Sequence, residues 1–88
     1  MRPMNPIHPG MMLFEEFLLP GEITQRAFAE RLGWTTAKLN ELIHCKRGVT
    51  ADSALDLAKA LKTSPELWMN LQMQFDLARA QVRRRRAS

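Results

Sequence analysis

The chain has 88 residues, of which 45% are hydrophobic and 25% are charged, and it carries a formal net charge of +4. This length allows one small domain with one modest core. No apolar run approaches the ~18 residues that a membrane span needs, and the amino terminus lacks the apolar block of a signal peptide. The single cysteine, Cys45, cannot form an internal disulfide, so we expect a cytoplasmic protein with no membrane contact.

The positive charge is concentrated at the carboxy-terminal end. Arg83–Arg86 hold four of the 13 basic residues, which leaves nine basic residues against nine acidic ones in the rest of the chain. The body is therefore neutral, and the high isoelectric point alone says little about nucleic-acid binding. We expect a single domain over residues 1–82 followed by a basic, disordered tail over residues 83–88. An arm that contacts phosphates is the alternative for that tail.

No segment alternates apolar and polar residues over a useful length, so the pattern predicts an all-α protein. A first helix begins at His8-Pro9, where the missing proline N–H does no harm, and ends before Pro20-Gly21. Its Leu13 and Phe17 form an apolar pair at i and i+4. One face of this helix is therefore expected to join the core.

Two short helices follow with a very short connection between them. Thr24 caps the second helix and Thr35 caps the third, and Gly33 suits a left-handed position at the end of the second. In the third helix Leu39, Leu42 and Ile43 fall on one face, and Ala37, Asn40, Glu41 and His44 fall on the other. The spacing predicts a helix-turn-helix over residues 24–44.

The last two helices have equally clear beginnings. Thr50 caps the fourth helix, whose apolar stripe is Ala54, Leu57, Ala58 and Leu61. Ser64-Pro65-Glu66 begins the fifth helix with a cap, a first-turn proline and an acidic residue. These signals bring the predicted total to five helices.

The fifth helix has two apolar faces, each within a wedge of about 80° at 100° per residue. We call them the Leu-Phe stripe (Leu67, Leu71, Phe75, Ala78 and Val82) and the Met stripe (Met69, Met73, Leu77 and Ala80). One stripe can pack on its own domain, and the other then needs a different cover. A second copy of the chain is expected at the Met stripe, over residues 65–82, although the sequence does not decide which stripe faces out. The alternative is that the first helix covers both faces.

Longer stretches of the chain carry a more specific signal. "NPIHPG", "TQRAFAERLG", "LNELIHCKRGVTADSALDLAKAL" and "TSPELWMNLQMQFDLARA" together resemble the HigA group of antitoxins, which belongs to the Cro/C1-type (XRE) helix-turn-helix class. The resemblance runs from Asn5 to Ala80. It implies a five-helix, lambda-repressor-like domain that dimerises through its last helix. It also implies binding to an inverted-repeat operator in double-stranded DNA, repression of its own operon, and neutralisation of a HigB-type mRNA-cleaving toxin.

The outward face of the third helix holds the residues that we expect to contact bases. A recognition helix points its early residues at base edges in the major groove. Thr36 can exchange one hydrogen bond, Lys38 can reach guanine, and Glu41 can accept a bond from cytosine. The full expected set is Thr36, Ala37, Lys38, Asn40 and Glu41. Because bidentate contacts are few, we expect specificity to depend strongly on DNA shape.

Residues around the helix ends and the following loop are expected to contact phosphates. Gln25 lies at the amino end of the second helix, where free N–H groups favour an anion. Lys46 and Arg47 follow the recognition helix and would flank the groove. With the two capping residues, the expected set is Thr24, Gln25, Thr35, Lys46 and Arg47.

Catalysis has little support in the sequence. His8, His44 and Cys45 are the only histidines and the only thiol, too few for a nucleophile–base set or a four-ligand zinc site. We therefore expect no enzyme activity, no metal and no cofactor. Two alternatives to an antitoxin stay open: a stand-alone XRE-type regulator, and a module that binds a toxin or another partner without binding an operator.

Overall fold

The computed structural model describes residues 7–87, and within them it is helical with no strand. The helices are α1 (Pro9–Leu13), continued by a π-helical segment (Phe14–Leu18), α2 (Gln25–Leu32), α3 (Thr36–Ile43), α4 (Ala51–Leu61) and α5 (Pro65–Ala87). The prediction of an all-α, five-helix domain is confirmed. Residues 1–6 of the expected domain and Ser88 of the expected tail lie outside the described residues.

The helix boundaries follow the capping residues. The hydroxyl oxygens of Thr24, Thr35 and Thr50 accept hydrogen bonds from the backbone N–H three residues further on, which begins α2, α3 and α4. The Ser64 hydroxyl does the same for α5, accepting from the Leu67 N–H at 3.2 Å. Because each cap satisfies an otherwise unpaired N–H, these four helices begin where the sequence predicts.

A single core lies between the helices and is filled by large apolar side chains. Leu39, Leu42, Ala54 and Leu57 are buried as their periodicity predicts. The buried hydrophobic set is Leu13, Leu18, Phe28, Ala29, Leu39, Leu42, Ile43, Val49, Ala54, Leu57, Ala58 and Trp68. Burying each of the larger side chains stabilises the fold by about 1.5–3 kcal/mol, so α3 is held firmly by its inner face.

Helix α1 crosses α3 at very close range. A Cβ added to Gly10 would lie 1.7 Å from the Leu42 carbonyl oxygen, so only glycine allows this approach. Beyond Leu13 the helix widens into the π-helical segment, where the Leu19 N–H donates to the Phe14 carbonyl. The sequence did not predict this widening. In the turn that follows, Glu22 adopts the left-handed conformation, with φ 53°.

Helix α5 packs the amino-terminal part of its Leu-Phe stripe on the core, whereas Val82 at the far end of the stripe is 37% exposed. Leu67 and Leu71 contact the core, and Trp68 beside them is fully buried, with its indole N–H donating to the Thr63 hydroxyl at 2.8 Å. Trp68 also lies against the Phe17 ring, with the ring centroids 5.7 Å apart. The stripe alone did not predict Trp68, which lies just beyond one edge of the wedge.

The end of α5 differs from the expected disordered tail. The helix runs to Ala87 and includes Arg83–Arg86 instead of ending at Val82. Arginine is a good helix former, and positive charge is favourable at the carboxy-terminal end of a helix dipole. Among residues 7–87, α5 and the other helices include none that is long and apolar enough to cross a membrane.

His8 is a buried histidine that caps α1. Its side chain is 3% exposed, its Nδ1 accepts from the Gly10 N–H at 2.9 Å, and its ring meets the Phe75 ring edge-on at 4.7 Å. Burial lowers the pKa of His8 below its ordinary value of 6.5; the nearby Arg79 also lowers it, and Asp76 opposes the shift. Protonation of Nδ1 would further remove the acceptor that the cap requires.

The lowered pKa of His8 predicts a loss of stability in mild acid. The unfolded chain protonates His8 more readily than the folded chain does. The stabilisation that neutral, buried His8 gives the folded state is therefore complete above about pH 6.5, and it decreases as the pH falls towards the pKa of the folded state. Replacing His8→Asn keeps an acceptor at the cap but removes the titration. Urea unfolding at about pH 7.5 and about pH 5.5 should show a larger loss for the wild type than for the variant. Equal losses would contradict the assignment.

Candidate nucleic-acid interface

The connection between α2 and α3 is a tight turn of three residues. Gly33 has φ 75°, which lets the Trp34 N–H reach back to the Ala29 carbonyl at 2.9 Å. Thr35 then begins α3. The helix-turn-helix therefore lies between Gln25 and Ile43, with its inner face formed by Phe28, Ala29, Leu39 and Leu42.

Trp34 anchors this turn to the rest of the domain. Its indole N–H donates to the Asp56 carboxylate on α4 at 2.9 Å. Its ring also receives the Lys38 ammonium, which lies 4.3 Å from the ring centroid. The Lys38 side chain, expected at a base edge, is thus partly buried over the turn.

The beginning of α3 is exposed. Thr36, Ala37 and Asn40 all face solvent, as the helical periodicity predicts. The Asn40 Nδ2 donates to the Gln25 Oε1 at 3.1 Å, and this bond joins an expected base contact to an expected phosphate contact. The bond leaves the Gln25 amide N–H groups available at the amino end of α2, where an anion is favoured.

The loop after α3 holds its charges in a defined arrangement. The Arg47 guanidinium donates through Nε and Nη2 to the Glu41 Oε1, at 3.0 and 2.7 Å. Both side chains are about half exposed, at 45% and 47%. The expected base contact and the expected phosphate contact are therefore paired with each other, whereas Lys46 is exposed.

Gln72 connects this loop to α5. Its Oε1 accepts from the Val49 N–H at 2.7 Å, and its Nε2 donates to the Asp76 carboxylate at 3.0 Å. Val49 is buried, so its amide needs this acceptor. Gln72 thereby fixes the segment that carries Lys46 and Arg47 against the longest helix of the molecule.

Sequence reasoning did not identify Asp56 or Gln72 as residues that position the interface. Each contacts a partner more than 20 positions away, with one complete helix between the two residues. The only sequence signal is that a polar residue lies on the flank of an otherwise apolar helix face, and solvation explains that pattern equally well. Contacts of this length require the tertiary structure.

The histidine and the cysteine beside the loop have local explanations. The His44 Nδ1 lies 2.9 Å from the Asn40 carbonyl, one turn earlier in the chain. Cys45 is exposed at a left-handed position, and partial burial of its thiol raises its pKa. A raised pKa disfavours the reactive thiolate, in keeping with a structural position.

A second exposed surface lies on α5. In the Met stripe, Met69, Met73 and Leu77 are 40%, 51% and 53% exposed. Leu19 and Leu55 are more exposed, at 61% and 57%, but Leu19 lies in the turn before α2 and Leu55 lies on α4, so they do not form a run with each other. The Met stripe is a run of apolar side chains along one line of a helix, which makes it a candidate interaction surface.

Comparison with known proteins identifies the class. No family model matches the chain. Antitoxin HigA-1 of Vibrio cholerae is 44% identical over 74 residues, which cover 83% of this chain and 69% of that protein. Two further relatives, one from Haemophilus influenzae and one from Escherichia coli, are named as HTH-type transcriptional regulators, at 33% and 35% identity over 83% of this chain. These names are those of antitoxins and regulators, and none of them denotes an enzyme.

Solved structures agree over almost the whole chain. The Pseudomonas aeruginosa antitoxin HigA with the higBA promoter superimposes with a TM-score of 0.89 at 36% identity, over 94% of this chain and 90% of that one. The antitoxin GraA in complex with its operator gives a TM-score of 0.82 at 44% identity, over 91% and 81%. The fold and the exposed α3 therefore define a helix-turn-helix protein of the DNA-binding class. Within that class, the chain belongs to the HigA antitoxin family.

The hydrogen bond from Val49 to Gln72 predicts a specific loss of stability. Gln72→Ala leaves a buried N–H without its acceptor, so the free energy of unfolding should fall by about 1–3 kcal/mol. Gln74→Ala, on the same helix at an exposed position, is the matched control and should change it by less than about 0.5 kcal/mol. Urea unfolding at one protein concentration measures both. Equal effects would show that the bond does not hold the loop.

Proposed function

We propose that the protein is a DNA-binding antitoxin that represses its own operon and neutralises a HigB-type toxin. The observation that carries the proposal is the exposed amino-terminal half of α3, in a chain that matches promoter-bound and operator-bound antitoxins over more than nine-tenths of its length. A toxin partner is supported by family membership and by the name of the Vibrio cholerae relative.

In this proposal α3 enters the major groove. Thr36 and Ala37 lie in its first turn and Asn40 one turn further, so they meet base edges first. Lys38 would have to leave the Trp34 ring to reach a base, which costs part of a cation–π contact. Glu41 would have to release Arg47. Few side chains can therefore contact bases without rearrangement, and this supports a specificity that depends largely on the shape of the DNA.

Phosphates would be held on both sides of that groove. On one side are the amino ends of α2 and α3, with the hydroxyls of Thr24 and Thr35 and the amide of Gln25. On the other side are Lys46 and Arg47, in the loop that Gln72 fixes. Proteins commonly bind phosphate in these two ways, through backbone N–H groups at helix ends and through lysine or arginine side chains.

A dimer would present two such surfaces to an inverted repeat. The Met stripe of α5 is the proposed subunit contact, because on the opposite side Leu67 and Leu71 of the Leu-Phe stripe are already packed on the core. Two-fold symmetry would then place two α3 helices on half-sites about one duplex turn apart, about 34–36 Å between centres.

A regulator without a toxin is the second candidate, and the relatives named only as transcriptional regulators favour it. The two candidates share the same DNA chemistry. They differ in whether a neighbouring reading frame encodes a toxin that co-purifies with this protein and stops growth when expressed without it. Absence of such a frame would decide for the regulator.

The central experiment is a gel shift on the protein's own promoter fragment and on a scrambled duplex of equal length, over a salt series. The proposal predicts saturable retardation that favours the promoter by about 10³-fold or more. Affinity should fall steeply as salt rises. Equal affinity for the two duplexes at every salt concentration would reject operator recognition.

Removing the two loop cations predicts a loss of affinity for any duplex. With Lys46→Ala and Arg47→Ala combined, the slope of log affinity against log salt should fall by about 1.8 on the promoter, where both cations contact phosphates, since each lost contact removes about 0.9. On the scrambled duplex, where Arg47 stays paired with Glu41, the slope should fall by only about 0.9. The matched control, Arg31→Ala with Lys59→Ala, removes two cations from the cleft between α2 and α4 and should leave the slope unchanged. If the two double variants had the same salt slope, the loop that carries Lys46 and Arg47 would not contact DNA phosphates.

Breaking the Glu41–Arg47 pair from the acidic side predicts the opposite change. Glu41→Gln releases Arg47 and removes a negative charge that faces the phosphates, so affinity for the scrambled duplex should rise several-fold. On the scrambled duplex the salt slope should steepen by up to about 0.9, because Arg47 becomes free to contact a phosphate there. Glu30→Gln makes the same change in net charge on α2 and serves as the control. A rise that is equal in both variants would mean that only net charge matters.

A further inference from the structure

The Met stripe continues, at each of its ends, into a charged residue. Glu66 and Arg84 are eighteen positions apart, which is about five turns of 3.6 residues, so they lie on one line along α5. The stripe runs between them along that same line. We define the α5 seam as positions 66, 70, 73, 77, 80 and 84, which includes Asn70. These positions follow one another in alternating steps of four and three residues, which is the spacing of the contact line in a coiled coil. Glu66, Arg84 and most of the apolar residues between them are exposed.

We propose that two copies of α5 pair antiparallel along this seam, so that Glu66 of each copy meets Arg84 of the other. This inference rests on the dimer of the proposed function and adds its direction, its register and a role for the basic end. The seam is centred on position 75. Residues whose numbers add up to 150 then lie opposite each other: Met73 against Leu77, Asn70 against Ala80, and Glu66 against Arg84.

Charge decides between the two possible directions. A parallel two-fold pair places identical residues opposite each other, so Glu66 would face Glu66 and Arg84 would face Arg84. It would also bring two runs of four arginines together at one end, at a cost in repulsion. The antiparallel pair separates those runs by about 27 Å along the seam and gives each an acidic partner. The charges at the two ends of the seam are therefore complementary only when the two helices run antiparallel.

The length of the helix supports the same arrangement. The seam reaches Arg84 only because α5 continues as a helix to Ala87, beyond the part that packs on its own core. The Leu-Phe stripe lies on the opposite side of the helix, so each domain is on the outside of the pair and does not obstruct it. The arginine segment is in this view part of a subunit contact.

A charge exchange tests the register. Glu66→Arg alone, or Arg84→Glu alone, replaces two attractive contacts in the dimer by two repulsive ones. Each should raise the dimer Kd about tenfold in sedimentation at low salt. The double variant restores opposite charges at both ends and should return to within about threefold of the wild type. Within one chain the two residues are about 27 Å apart, so the restoration cannot come from an intrachain contact. Circular dichroism checks that each variant folds.

A disulfide trap gives an independent reading of direction. In a Cys45→Ser background, chains with Glu66→Cys are mixed with chains with Arg84→Cys and oxidised mildly. The antiparallel register predicts cross-links between unlike chains, whereas cross-links between like chains would overturn it. Single charge variants that dimerise as the wild type does would also overturn it. A gel shift of the same variants separates the questions, because operator binding can fail while the cross-links still report the register.

Discussion

The packing of the inner face of α3 is the constraint on which the rest of the molecule depends. Leu39 and Leu42 are almost completely buried between α1, α2 and the core, and Gly10 brings α1 against the α3 backbone. With one face held in this way, rotation of α3 about its own axis would expose apolar surface at about 25 cal/mol per Å². Thr36, Ala37 and Asn40 consequently point outward because their opposite neighbours must point inward. The packing of the core therefore decides which side chains of α3 are exposed.

The features that could be predicted from the sequence are those set by local rules. The caps Thr24, Thr35 and Thr50, the left-handed Gly33 and the inner faces of α3 and α4 each depend on residues within about four positions of one another. The arrangement of the exposed side of α3 followed from the same periodicity. Local chemistry was sufficient for these features because no distant contact opposes it.

Features that depend on distant contacts could not be predicted. The Gln72 bond to Val49, the Trp34 bond to Asp56 and the burial of Trp68 need the helices to be assembled first. The π-helical segment and the helical Arg83–Arg86 were also not predicted, because no local capping or turn signal marks either of them. The pairing of Glu41 with Arg47 changed the interpretation most, since two expected DNA contacts satisfy each other in the absence of DNA.

Under the proposed function, that ion pair affects how the protein finds its operator among the unrelated sequences of a chromosome. A genome offers on the order of 10⁶–10⁹ unrelated sites, so operator occupancy depends on the ratio of specific to unspecific affinity. A guanidinium held by its own carboxylate adds little to unspecific attraction along arbitrary DNA. At the operator, close docking can supply enough contacts to draw it away. The ion pair would thus shorten each visit to the wrong sequence during the search, and a nearly neutral body does the same for the molecule as a whole.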